Sequence, residues 1–210
     1  MKIGVFGDSF AQHPAKNPAH LQWWQYAQEQ GPDVEIDSYG QPGSSLYYTW
    51  KQFHNHHNKY DKVIVCLTMP NRLWMPHLPK DWKAEHVHSL DDYSRRTFKV
   101  NSTAKIMNNA LTSYYKYIVN LKEQRDIWRL QVADIKNTRP DALYLASLTD
   151  EDAVSDYICL WEISKLDGDV GNKRDTRANH FSDKNCRIFA KKITTWIETN
   201  QFSLDIEDFI

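Results

Sequence analysis

Apolar residues along this chain fall into short runs set between polar, glycine- and proline-punctuated stretches, and the runs follow two periods. Residues 2–10 read KIGVFGDSF; Ile3, Val5 and Phe6 are β-prone, and the run stops at Gly7, as a buried strand would. Residues 20–30 lack glycine and proline and end at Gly31-Pro32, which predicts a helix with Leu21, Trp24, Tyr26 and Ala27 inward. Residues 34–39 alternate and predict a second strand. A glycine-rich loop, 40–45, leads into a helix over 46–59. VIVCL at 63–67 is unbroken, the pattern of a central parallel strand covered on both faces. Helical spacing returns over 103–125 and 126–136, with Ile106, Ala110, Tyr114, Tyr117 and Ile118 recurring on one face. Residues 142–147 predict a fourth strand. Residues 182–199 predict a closing helix, with Ser182 as N-cap and Ile188, Phe189, Ile193, Trp196 and Ile197 as its stripe. Residues 10–19 read as a loop, and 73–100 as an irregular, charged excursion over the strand ends. Residues 148–181 carry a short apolar piece at 157–163.

Strands alternating with helices imply a parallel sheet with helices on both faces. The expected fold is therefore α/β, a three-layer α/β/α sandwich with a mainly parallel, flavodoxin-like sheet. One domain spans 1–210, with an insertion at about 73–140. In such a sheet the loops leaving the first three strands meet at its carboxyl edge.

Composition narrows the chemistry. The chain has 210 residues, with 26 basic and 27 acidic side chains and a net charge of -1, a balance that argues against nucleic acid or a membrane surface as partner. The eight tryptophans suit core and interface packing before carbohydrate stacking. Cys66, Cys159 and Cys186 lie far apart without metal spacing, which points away from a disulfide framework. No apolar run could span a bilayer, and the first residues lack a signal-peptide pattern; a cytoplasmic location is expected. His54, His56, His57, His86 and His88 find no carboxylate or cysteine nearby to complete a metal set, and no phosphate-binding glycine pattern is present. Neither metal nor cofactor is expected. Asp91-Asp92 and Glu151-Asp152 read as solvated turns or helix starts.

The strand-end loops carry Ser9, Gly43 and Asn71, and the loop before the last helix carries His180. Asp8 and Ser9 both suit a helix cap, and a plain cap is the simpler reading of either. Together, however, the four residues from separate segments could build an acyl-transfer site. Ser9 attacks, and His180 takes and returns its proton. The Ser9 and Gly43 amides and the Asn71 side chain bind the oxyanion, helped by a helix dipole beginning at Ser9.

These blocks resemble the SGNH (GDSL-like) hydrolase superfamily: GDSF at 7–10, GQPGSS at 40–45, TMPNR at 68–72 and NHFS at 179–182, in the family's order. The resemblance implies a serine esterase with nucleophile Ser9, base His180, and Gly43 and Asn71 in the oxyanion hole. An acylated carbohydrate or other small-molecule ester is the implied substrate. The chain departs from the family twice. The acid usual three residues before the histidine is replaced by Arg177; Asp175 is the nearest substitute, and a Ser9–His180 dyad is the alternative. Arg72 follows Asn71 where an acid is common, and Thr68 is a second polar candidate at that strand end. Arg72 and Arg177 would make the pocket cationic and suited to an anionic ester, unless each pairs with a local acid. A non-catalytic protein of this fold that binds a glycan or a protein is the competing reading.

Overall fold

The computed structural model describes residues 1–12, 21–31, 33–70, 72–74, 86–87, 113–114, 117–118, 120–147, 159–166 and 180–210. Its centre is a parallel sheet of β1 (Lys2–Phe6), β2 (Glu35–Ser38), β3 (Lys62–Leu67) and β6 (Leu143–Ala146), in the order β2-β1-β3-β6. β4 (Leu73–Trp74) and β5 (His86–Val87) form a separate antiparallel ribbon. The helices are α1 (Trp23–Gln30), α2 (Leu46–His56), α3 (Leu121–Thr138), α4 (Leu160–Leu166) and α5 (Asp183–Thr199).

Side chains alternate across a strand, and here each face meets its own core. Ile3 and Val5 of β1, Ile64 and Cys66 of β3, and Leu143 and Leu145 of β6 pack with α1, α4 and α5. Phe6, Val63, Val65 and Leu67 point the other way, onto Leu46 and Phe53 of α2 and Trp128, Val132 and Ile135 of α3. The result is the expected α/β/α sandwich, and β3, apolar throughout its centre, is buried on both sides. The strand order reverses direction beside β1, which leaves a crevice at the carboxyl ends of β1 and β3.

The helix assignments change in detail. The run expected to start at Ser9 is a single 3-10 turn, Ser9–Ala11, too short to carry a macrodipole argument. The boundary expected between 125 and 126 lies inside one helix: Asn120 caps α3 through the Lys122 and Glu123 amides, and the chain runs helical to Thr138. Ile106 and Ala110 lie outside the described residues. Tyr117 and Ile118 are exposed, and the inward positions are instead Trp128, Val132 and Ile135. Because α3 forms part of a sandwich layer, residues 121–138 are a crossover helix between β3 and β6. On α5 the buried face includes Cys186 and Ala190 along with Phe189, Ile193, Trp196 and Ile197.

The Ser182 side chain caps α5 by accepting the Asn185 amide at 3.2 Å. Ser182→Ala should cost about 1 kcal/mol, read from denaturant midpoints at unchanged slope. Among the described residues no helix is long and apolar enough to cross a membrane. His54 meets Asp134 at 2.7 Å, beside the Trp50 indole N–H on the same carboxylate. His57 stacks on Phe53, and burial lowers its pKa, with His54 and Arg139 adding to the effect.

Candidate active site

Gly7 ends β1 where a side chain has no room: a Cβ there would sit 2.6 Å from the Cys66 Cβ. The chain then turns. The Asp8 side chain accepts the Phe10 amide at 3.0 Å, so Asp8 acts as the cap that the sequence allowed. Two tryptophans of α1 fix the rest of the turn. The Trp23 indole donates to the Phe10 carbonyl at 2.7 Å, and the Trp24 indole to the Gln12 carbonyl at 3.2 Å. Ser9 is thus held on a rigid turn at the carboxyl edge of β1, 7% exposed.

His180 approaches from the far end of the chain. Its φ is 78°, a left-handed conformation uncommon outside glycine. The next residue, Phe181, anchors this bend in the core, edge-on to Phe10 and Phe189. The imidazole stacks on Phe10, with ring centres 4.7 Å apart, and meets Trp161 of α4 edge-on at 5.5 Å. So held, its Nε2 lies 2.8 Å from Ser9 Oγ. A neutral ring that accepts the serine proton at Nε2 carries its own proton on Nδ1, and Nδ1 is closed off from solvent.

The loop after β2 is laced to this turn. The Gln41 amide and the Ser44 hydroxyl both donate to the Gly7 carbonyl, each at 3.2 Å. Gly40 pairs with Gln12 in a parallel bridge. Ser45 caps α2 through the Tyr48 amide. Between them Gly43 takes φ 75°, a conformation glycine adopts without steric cost. Among the described residues nothing accepts a hydrogen bond from the backbone N–H of either Ser9 or Gly43. Backbone donors of this kind are what an oxyanion needs.

Beside Ser9 lies a buried ion pair. Asp8 Oδ2 takes the Arg72 Nη1 at 3.2 Å and the Ser147 hydroxyl at 2.9 Å. Arg72 Nη1 also donates to the Ser44 carbonyl at 3.2 Å. The two charged side chains are 4% and 0% exposed. Arg72 is thus paired through Nη1 with a buried acid distant in sequence, rather than standing as an isolated cation. Burial, with the Asp8 charge added, pushes the neighbouring Cys66 thiol well up, so Cys66 is an inert core group. Thr68 is buried, and its carbonyl accepts the Trp128 indole N–H at 2.8 Å.

Asn71, Asp175, Arg177 and Asn179 lie outside the described residues. Ser147, Trp23, Trp24 and Trp161 join the site without a family block or motif of their own to mark them. Ser147 had a usable signal, since it closes the strand ALYLAS at the same sheet edge as Ser9. A cavity of about 270 Å³ opens beside Arg72, lined also by Leu46, Tyr47, Pro70, Ile127 and Trp128. Among the described residues no group of His, Cys, Asp and Glu converges as a metal site would.

Neither a protein-family model nor a curated protein matches the chain. Among solved structures, the chain is similar to a member of the lipolytic protein G-D-S-L family from Veillonella parvula DSM 2008. The identity is 13%, over 96% of this chain and 99% of that one, with a TM-score of 0.37.

Proposed function

We propose that the protein is a serine ester hydrolase of the SGNH type. The observation that carries this reading is the 2.8 Å contact of Ser9 Oγ with His180 Nε2, between residues 171 positions apart. Ser9 attacks the ester carbonyl while its proton passes to Nε2. The oxyanion forms against the Ser9 and Gly43 amides, joined by the Asn71 side chain. The imidazolium returns the proton to the departing alcohol, leaving an acyl group on Ser9. Water then attacks the acyl-enzyme, giving its proton to Nε2, and the acid leaves as Ser9 recovers its hydrogen.

Asp175 would support Nδ1, and without it Ser9 and His180 act as a dyad. No step calls for a metal or cofactor. The substrate class is a small-molecule or carbohydrate ester. Arg177 remains the candidate for an anionic group on it, since Arg72 is committed to Asp8.

A fluorophosphonate probe tests this reading. One adduct is expected, on the peptide that contains Ser9, as seen by mass spectrometry. A folded protein that stays unmodified at millimolar probe would overturn the hydrolase in favour of a binding pocket.

A further inference from the structure

The two halves of the proposed site come from different loops. Ser9 belongs to the turn after β1, and Gly43 to the loop after β2. Their relative placement decides whether the oxyanion falls between the two amides. Beside the Gln41 and Ser44 bonds to the Gly7 carbonyl, two further buried contacts that set it meet on one nitrogen. Arg72 Nη1 donates to Asp8 Oδ2 and to the Ser44 carbonyl, both at 3.2 Å. Asp8 directly precedes the nucleophile, and Ser44 directly follows Gly43.

We infer that Arg72 is a positioning residue that clamps the nucleophile turn to the oxyanion loop through Asp8 and Ser44, with Ser147 as the third support of the Asp8 carboxylate. This rests on the hydrolase reading for its catalytic consequence, but the clamp itself does not depend on it.

Three features argue for this role over simple stabilisation. A buried ion pair contributes little net stability against an apolar replacement, because desolvation offsets the attraction; what it does fix is geometry. The Asp8 carboxylate takes three hydrogen bonds: Oδ1 holds the Phe10 amide of its own turn, while Oδ2 holds Arg72 and Ser147, so its orientation is set from the turn and from two other segments. Ser147 Oγ also lies 3.0 Å from the Leu67 carbonyl, which ties the cluster to the end of β3 and hence to the segment that delivers Arg72. Charge-assisted contacts of this kind are the stronger class of hydrogen bond. Misplacing a reacting group by about 1 Å can cost on the order of a hundredfold in rate.

The test compares Arg72→Gln, Arg72→Lys and Ser147→Ala with the native chain by two independent readouts. Hydrogen exchange follows the Ala11, Gln41 and Ser44 amides, which bond within and between the two loops, against the β3 amides. Fluorophosphonate labelling separates the rate of bond formation from probe affinity. In Arg72→Gln the loop amides should exchange about tenfold faster while β3 is unchanged. Labelling should slow on the order of a hundredfold at unchanged affinity. Arg72→Lys, which keeps one charged nitrogen, should recover part of the rate. Ser147→Ala keeps the ion pair and should give a smaller change in the same direction.

Native loop exchange in a folded Arg72→Gln overturns the clamp, as does native labelling. Should Arg72→Gln not fold, Ser147→Ala decides by the same criteria. A native chain that takes no label removes the hydrolase reading, and loop exchange then judges the clamp alone.

Discussion

Ser9→Ala and His180→Gln should each lower the rate of acylation on the order of a million-fold, and the double variant should be no slower than either alone. The reason lies in one shared proton. A serine hydroxyl at neutral pH is a weak nucleophile, and attack is productive only if its proton leaves as the new bond forms. Here His180 Nε2 lies 2.8 Å from the hydroxyl oxygen, where the proposed acceptor has to be. Phe10 and Trp161 restrict the imidazole to that orientation. Removing the hydroxyl or the acceptor therefore abolishes the same event, and the losses do not add. Stability should barely move in Ser9→Ala, because the side chain is small and the next residue of the turn, Phe10, is held at its backbone by Trp23 and Asp8. A protonated imidazole cannot accept the serine proton, so the native rate should fall on the acid side. That limb should vanish from whatever slow reaction His180→Gln retains. The measurement is the pseudo-first-order rate of probe labelling across pH, followed by intact mass. A His180→Gln protein that keeps more than a tenth of the native rate would show that the imidazole is not the base.

What the sequence made legible follows from where each signal resides. β1 and β3 are short, apolar and closed by glycine or polar residues, so their place in a buried parallel sheet is written locally. So are the closing helix and its serine cap. The pairing of Ser9 with His180 was legible because each lies at the junction of a strand or helix that local pattern already defines. The supporting shell was not. Arg72 and Asp8 stand 64 positions apart, and no local period shows that a cation and an acid will share one buried space. Substitution of an acid by Arg72 pointed instead to an exposed cation, because charged residues are seldom buried unless paired. The inward face of the segment leading into and along α3 departs from the periodic pattern for a related reason. Tyr117 and Ile118 sit at helical spacing but face outward, while Trp128, Val132 and Ile135 meet the sheet. Periodicity shows that a face exists; packing decides which one is inside.

Gly40→Ala should be the most damaging single-methyl change in the chain's described glycine loops. A Cβ at Gly40 would lie 1.8 Å from the Ala11 carbonyl oxygen, 2.0 Å from its carbon and 2.5 Å from the Gln12 nitrogen. All three are backbone atoms, so no rotamer can relieve the overlap. The two loops must separate. That breaks the Gln12–Gly40 bridge, strains the bond from the Ser38 hydroxyl to the Ala11 carbonyl, and draws the Gln41 amide from Gly7. At about 1 kcal/mol for each hydrogen bond, plus overpacking of about 1–3 kcal/mol, a loss of roughly 4 kcal/mol is expected. In a domain of this size that corresponds to a fall in Tm of about 10 °C. The same separation moves Gly43 away from Ser9, so the surviving folded fraction should also label roughly a hundredfold more slowly. Gly31→Ala is the matched control. Its nearest neighbours are the Val34 side-chain carbons, at 2.9 and 3.4 Å, in a turn far from Ser9 in sequence, where Asp33 and Glu35 are exposed. It should cost under about 1 kcal/mol and leave labelling at the native rate. Calorimetry and labelling of the two variants side by side separate a general glycine effect from a clash at the site. A Gly40→Ala protein with native Tm and native labelling would mean that the Ser9 turn and the Gly43 loop are not in backbone contact, and the proposed site would lose its frame.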